Sequence, residues 1–341
     1  MRLTRNSWIL IASFAVLVII LITTAVLRDT EEYVSKVEIA LGTTVRVVIA
    51  SDKNPALIIE SVLREFRRIE EKFSVNLADS EISRINGNNG QPYEMDEEMA
   101  FVIERALTIA KATNGAFDPA LGNLINLWGF DKIGDVDFKG RVPSDDAILA
   151  AVASSGYENV EVNGVYITLN NGVKLDLGGI VKGYAIDRGI AIAQEMDPKA
   201  TGYIDAGRDI GIIGPKFSSD SWSIGVQHPR SDNPGEYLDV VYLEKGSIVT
   251  SGDYERFFII DGVRYHHIIN PKTGYPVVKT VSATVISSTA MDADALSTAA
   301  FVLGGEFASV ILPSLGGQGL FVNDEMEQFT TEGWSFFTEK R

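Results

Sequence analysis

The chain has 341 residues, 45% of them hydrophobic and 22% charged, with 31 glycines and 11 prolines. That is enough apolar material for a large core, and it excludes a disordered or fibrous chain. Acidic residues outnumber basic ones 46 to 30, so the formal charge of −16 excludes a nucleic-acid binder, which needs a basic face, but not a small anionic ligand. With no cysteine, disulfides, thiolate metal sites, cysteine nucleophiles and a lipid-bearing N-terminal cysteine are excluded together.

Arg2 and Arg5 precede an uncharged run from Trp8 to Leu27, about 20 residues and so the length of a membrane-crossing helix. Residues 1–30 therefore read as a signal anchor, and 31–341 as one domain held outside the cytoplasm by the basic residues before the span. A cleaved secretory signal ending near Thr23-Thr24-Ala25 is the alternative. Val37 to Ile49 alternates and is rich in β-branched residues, predicting a strand or hairpin. Asn54-Pro55 caps a helix to about Lys72, with Leu57, Val62, Phe66 and Ile69 at helical spacing. Further helices are expected over Asp96–Thr113, Pro143–Ser154, Ile180–Glu195 and Met291–Leu303. Strands are expected over Val160–Leu169, Val173–Leu177, Tyr203–Ile213 and Val281–Ser287, with a β-rich stretch from Trp222 to His267. No repeat or linker divides the chain. The fold class is α+β, with mixed or antiparallel sheets flanked by helices.

Four segments carry chemistry-bearing residues. In Asp292-Ala293-Asp294-Ala295-Leu296-Ser297-Thr298, the oxygens of Asp294 and Thr298 share one helix face and suit a hard cation such as Mg²⁺; ordinary helix capping accounts for the same pattern. Lys174 to Tyr184 reads as a strand entering paired glycines and then a helix, a geometry that presents N–H groups to phosphate, with Asp176 and Lys182 beside it. A tight turn needing glycine for positive φ is the plainer account. His266 and His267 lead into a Pro/Gly turn, where a histidine is placed for proton transfer. Adjacent strand residues face opposite ways, so the two do not share a site. Asn114 to Pro119, followed by Asn126 to Phe130, puts aromatics beside Gly and Asp, which fits either ring stacking or a core beneath a loop.

The order of these segments says more than any one of them. SVNLADSEISRIN at Ser74–Asn86, GAFDP, NLWGF, DLGGIVKGYAID, TSGDYERFF, HHIINPKTGYP and DADALSTAAFVLG succeed one another across roughly Val37 to Phe337. In this the chain resembles the ApbE family of FAD:protein FMN transferases. The resemblance implies a T-fold-related α+β unit that transfers FMN from FAD to a threonine hydroxyl of an acceptor protein and releases AMP. It implies Mg²⁺ held by Asp294, Thr298 and the Gly179 carbonyl. It also implies flavin-nucleotide contacts at Leu41, Asn76, Ala116, Phe117, Asp118, Asp176, Lys182, His267 and Ile268. His267, Lys182 and Asp176 are the catalytic candidates, His267 first as base. The expected acceptors are flavoprotein subunits of membrane redox complexes or extracytoplasmic electron carriers. Two departures stand out: Asn76 replaces a usual Tyr over the flavin, which raises FAD hydrolysis to FMN and AMP as an alternative activity, and Asp205-Ala206-Gly207-Arg208-Asp209 replaces Asn-x-Gly-Gly-Asp. A non-catalytic flavin-binding protein is the second alternative.

Overall fold

The computed structural model describes residues 32–133, 138–217, 220–233 and 235–339. The apolar segment expected to anchor the chain lies outside them. The chain divides after Tyr33, and the unit from Val34 onward carries everything below. It opens with strands β1 (Val34–Ala40) and β2 (Thr43–Ala50), helices α1 (Pro55–Phe73) and α2 (Glu81–Asn86), strand β3 (Tyr93–Glu94), and helices α3 (Glu97–Ala112), α4 (Gly122–Trp128) and α5 (Asp145–Ala153). β4 (Val160–Asn163), β5 (Tyr166–Leu169) and helix α6 (Val181–Met196) follow. The chain then runs through β6 (Thr201–Ala206), β7 (Asp209–Gly214), β8 (Trp222–Gln227), β9 (Tyr237–Leu243), β10 (Ser247–Gly252), β11 (Phe257–Ile260), β12 (Val263–His266) and β13 (Thr280–Ser287). Helices α7 (Ala290–Leu303) and α8 (Gly305–Ile311), strands β14 (Gln318–Asn323) and β15 (Gln328–Thr330), and helix α9 (Ser335–Thr338) complete it.

One sheet of eight strands, in the order β1-β2-β6-β7-β10-β13-β14-β15, organises the unit. Every neighbouring pair is antiparallel, so the mixed-sheet option is not realised. Both faces of the sheet are covered. On one, α1, α6 and α7 bury Phe66, Ile186 and Phe301 against Val45, Ile204 and Val285. On the other, the β8–β9 hairpin and Trp334 close over Ile212, Ile248 and Ile286. Burial from both sides explains why every residue of β13 is buried.

The helices follow from their sequences. Asn54 accepts the Leu57 N–H at 3.1 Å to cap α1, and Ile58, Val62, Phe66, Ile69 and Phe73 form its buried stripe. Replacing Phe66 by Ala would cost about 3–5 kcal/mol. Where α6 crosses α7, a Cβ on Gly183 would stand 2.1 Å from the Ala290 carbonyl oxygen, so glycine there is required by backbone contact.

One expected strand is absent. Val173–Leu177 joins no strand; instead the Asn86 side chain brackets Leu175, accepting its N–H at 2.7 Å and donating to its carbonyl at 2.8 Å. Gly122 N–H donates to the Lys174 carbonyl, and Asp176 N–H to that of Pro119. An amide side chain and a neighbouring loop do here what a β partner would have done.

Candidate active site

Strand alternation builds the floor of the site. Asp209, Gly211 and Ile213 of β7 face the helices, while Ile210 and Ile212 face the other way. Gly211 lies under Ile186 of α6, where a Cβ would stand 2.3 Å from its side chain. That close approach brings Lys182, one turn earlier on α6, onto the 1%-exposed Asp209, with which it forms an ion pair. Asp294 of α7 completes the cluster: one carboxylate oxygen accepts the Gly183 N–H at 3.0 Å and the other faces Lys182 Nζ at 3.7 Å. Burial opposes the Lys182 charge, but the two carboxylates hold its pKa above the ordinary lysine value. Burial and the nearby Asp294 push Asp209 up to about 7 against the pull of Lys182.

The paired glycines sit at the start of α6, but not for positive φ: neither Gly178 nor Gly179 adopts it. A Cβ on Gly179 would press on the Phe117 ring at 3.2 Å and touch Thr298 Oγ1 at 3.5 Å, so the turn packs closely here. Nor is the turn a row of free donors. Gly178 N–H is taken by Asp176 Oδ1 at 2.8 Å, and those of Ile180 and Val181 by the Leu177 carbonyl. What the turn offers is proximity to Thr298, whose Oγ1 lies 3.5 Å from Ser251 Oγ; that hydroxyl in turn lies 2.8 Å from Ser297 Oγ. Thr298 thus sets a hard oxygen against the Gly179 backbone, one helical turn from Asp294. Among the described residues no group of three or more His, Asp or Glu side chains is placed to hold a metal. Oxygens of this kind are what a hard cation such as Mg²⁺ accepts, completed by phosphate or solvent.

The two histidines part company as their register requires. His266 is 3% exposed: its Nδ1 accepts the Ile268 N–H at 3.2 Å, so Nε2 carries the proton to the Val277 carbonyl at 2.6 Å. It packs edge-on to Phe301 and is structural. His267 extends the β11–β12 ladder beyond its last named pair, its N–H donating to the Arg256 carbonyl at 3.1 Å. Its Nδ1 is sealed from solvent with no hydrogen-bond partner among the described residues. Burial, then the charges of Arg256 and Lys182, lowers its pKa well below the usual imidazole value, so it is neutral. Ile268 lies in the main core beside it.

The other predicted positions are more dispersed. Leu41 and Gly42, both at positive φ, form the β1–β2 turn; the Gly207 N–H donates to the Thr44 carbonyl, so this turn adjoins the one before Asp209. Ala116 and Phe117 are buried, Phe117 against Gly179. Asp118 is occupied by its own surroundings, Oδ1 accepting from Ala120 N–H at 2.8 Å and Oδ2 from Tyr157 N–H at 3.0 Å; burial pushes its carboxyl up to about 6. Trp128 and Phe130 stack on each other within a separate aromatic core with Tyr265 and Phe258. Asn76 is exposed in the turn after α1, next to Val75. Val75, Asn86, Asn126, Lys174 and Asp176 line an open cavity of about 220 Å³, smaller than the roughly 300–1,000 Å³ of a typical ligand site and so suited to part of a larger molecule. Residue-by-residue reading did not single out Asp209, Ser251, Ser297 or Arg256. The alternation of the Tyr203–Ile213 hairpin was the signal available for Asp209.

Comparison with known proteins identifies the family and the fold. The ApbE family model matches residues 41–318. The chain is 35% identical to the FAD:protein FMN transferase of Treponema pallidum, covering 84% of each, and 31% identical to that of Haemophilus influenzae, covering 79% of this chain and 80% of that one. The crystal structure of the ApbE protein of Thermotoga maritima superposes with a TM-score of 0.86 at 43% identity, covering 91% of this chain and all of that one. The flavin transferase ApbE of Vibrio cholerae gives 0.78 at 26% identity, covering 90% and 99%. With the family model matching residues 41–318 and these relatives, the chain belongs to the ApbE family.

Proposed function

We propose that this protein transfers FMN from FAD to a threonine hydroxyl of an acceptor protein, with release of AMP. The observation that carries the reading is the convergence of Lys182, between two buried carboxylates, with the Asp294 and Thr298 oxygens at the Gly179 turn. Splitting a phosphoanhydride asks a protein mainly to position the phosphates and neutralise their charge. Lys182, fixed by Asp209, donates to the diphosphate and orients it. Asp294, Thr298 and the Gly179 carbonyl would hold Mg²⁺, which when bound neutralises diphosphate charge and resolves the mismatch between an anionic substrate and an acidic protein. His267, kept neutral by burial, takes the threonine proton as the hydroxyl attacks the FMN phosphorus. Asp176, with one oxygen committed to Gly178 N–H, orients the turn, and the cavity beside it takes one end of the flavin nucleotide. Leu41, Ala116, Phe117, Asp118 and Ile268 shape the walls.

Residues 1–30 would anchor the chain, placing this unit outside the cytoplasm beside flavoprotein subunits of membrane redox complexes or extracytoplasmic electron carriers. Hydrolysis of FAD to FMN and AMP is the second reading, favoured by exposed Asn76, which puts no ring over the flavin side. Incubation with FAD, Mg²⁺ and a threonine-bearing acceptor separates the two: covalent flavin on the acceptor supports transfer, and free FMN with AMP supports hydrolysis.

A further inference from the structure

Four arginines surround the loop between β10 and β11, and their pairing differs. Arg230 grips Asp253 with two bonds of 2.7 and 2.6 Å, and Arg264 reaches the same carboxylate at 3.7 Å. Arg208 bridges to Glu255 at 3.3 Å. Arg256 is exposed, and among the described residues it has no carboxylate partner, in a chain with 46 acidic residues. Its position is set by the ladder. His266 pairs with Phe257, and the His267 N–H donates to the Arg256 carbonyl, so the next opposed pair is Arg256 and His267. Directly opposed residues of an antiparallel pair project from the same face. Arg256 therefore projects from the same face of the ladder as the proposed base, and its charge acts on both His267 and Lys182. The two clamps, Arg230–Asp253 and Arg208–Glu255, fix the loop that presents it, giving Arg208 a place in the structure.

We propose that Arg256 is a further catalytic residue of the flavin-transfer reaction, donating hydrogen bonds to the phosphate that leaves as AMP. The proposal rests on the transfer reading above. As the threonine oxygen bonds to the FMN phosphorus, the bond from that phosphorus to the bridging oxygen breaks. The bridging oxygen and its electron pair depart with AMP, and the threonine proton passes to His267. Negative charge thus gathers on the adenylate phosphate, where a planar, unpaired guanidinium binds it best. Lys182 is already shared between two carboxylates and is less able to follow that charge.

The test compares AMP binding by calorimetry with FAD binding by flavin fluorescence, on the full chain with Mg²⁺ and no acceptor. For R256A, AMP affinity is expected to fall roughly 10- to 100-fold while FAD affinity changes less than about threefold, with R256K recovering part of the AMP affinity. In the transfer assay kcat falls and the KM for FAD holds. Unchanged AMP affinity in R256A would overturn the proposal, as would equal losses for AMP and FAD, which mark a disturbed loop. Should R256A not fold by thermal melting, R256Q serves in its place. If the unaltered chain neither transfers FMN nor cleaves FAD, the transfer reading itself fails; if it transfers and R256A binds AMP normally, only the role of Arg256 fails.

Discussion

The proposed phosphate side and the proposed flavin side of the site are built on opposite plans. Lys182, Asp209, Asp294 and Ser251 come from α6, α7 and the central sheet and sit where Gly183 lets α6 meet the α7 backbone and Gly211 admits the Ile186 side chain. Val75, Asn86, Asn126 and Lys174 come from turns and short helices around a polar, open cavity, with exposed Asn76 following Val75. Charge neutralisation needs groups that do not relax as the anhydride breaks, which a packed sheet supplies. Holding a flat ring needs only adjustable contacts, and turns suffice. Substitutions on the phosphate side should therefore reduce turnover sharply, whereas those on the flavin side should redistribute products.

The largest effect is expected for Asp294→Ala, which removes both the carboxylate facing Lys182 and the acceptor for Gly183. Mg²⁺-dependent turnover should fall by at least ~100-fold, about 3 kcal/mol of barrier; a rate near that of the unaltered chain would remove Asp294 from the site. His267→Ala should slow transfer by roughly 10²-fold, the lower end of a general base's usual share, with FAD affinity retained. Because burial and the Arg256 charge depress the His267 pKa, it stays neutral well below pH 6.5, so the acid limb of the rate profile should lie well under that value. A limb at or above pH 6.5 would contradict its role.

On the flavin side, Asn76→Tyr should leave total FAD consumption within a few-fold and shift products from free FMN toward acceptor-bound FMN. An unchanged product ratio would show that enclosure at residue 76 does not control water. The smallest effect concerns stability. Asp118 is raised to about 6 in the folded chain, so its ionisation there opposes folding. Its contribution is fully present below pH 3.8 and is lost as pH rises through 6. Asp118→Asn should remove that slope, about 1–3 kcal/mol between pH 4 and 7, seen as a flatter dependence of denaturation midpoint on pH.

The legible and illegible parts of the site divide along similar lines. Helical spacing alone brought Asp294 and Thr298 to one face of α7, and strand alternation alone separated His266 from His267. Both depend on local periodicity, which sequence carries directly. Asp209 was harder because its role needs β7 to lie under α6, a contact between residues 27 apart. The bracket of Asn86 around Leu175 spans 89 residues and turned an expected strand into a pinned loop. The paired glycines were expected for their backbone freedom, but Gly179 instead packs against Phe117 and Thr298, neighbours brought in by the tertiary fold. The GAFDP and NLWGF aromatics read equally well as stacking groups or core; the fold makes Trp128 and Phe130 core.

The most direct test of the central claim is intact-protein mass spectrometry of a threonine-bearing acceptor after incubation with this protein, FAD and Mg²⁺. The account predicts an added FMN on the acceptor threonine, AMP released in equal amount, and loss of both with Asp294→Ala. An acceptor of unchanged mass beside accumulating FMN and AMP, or beside intact FAD, would contradict it.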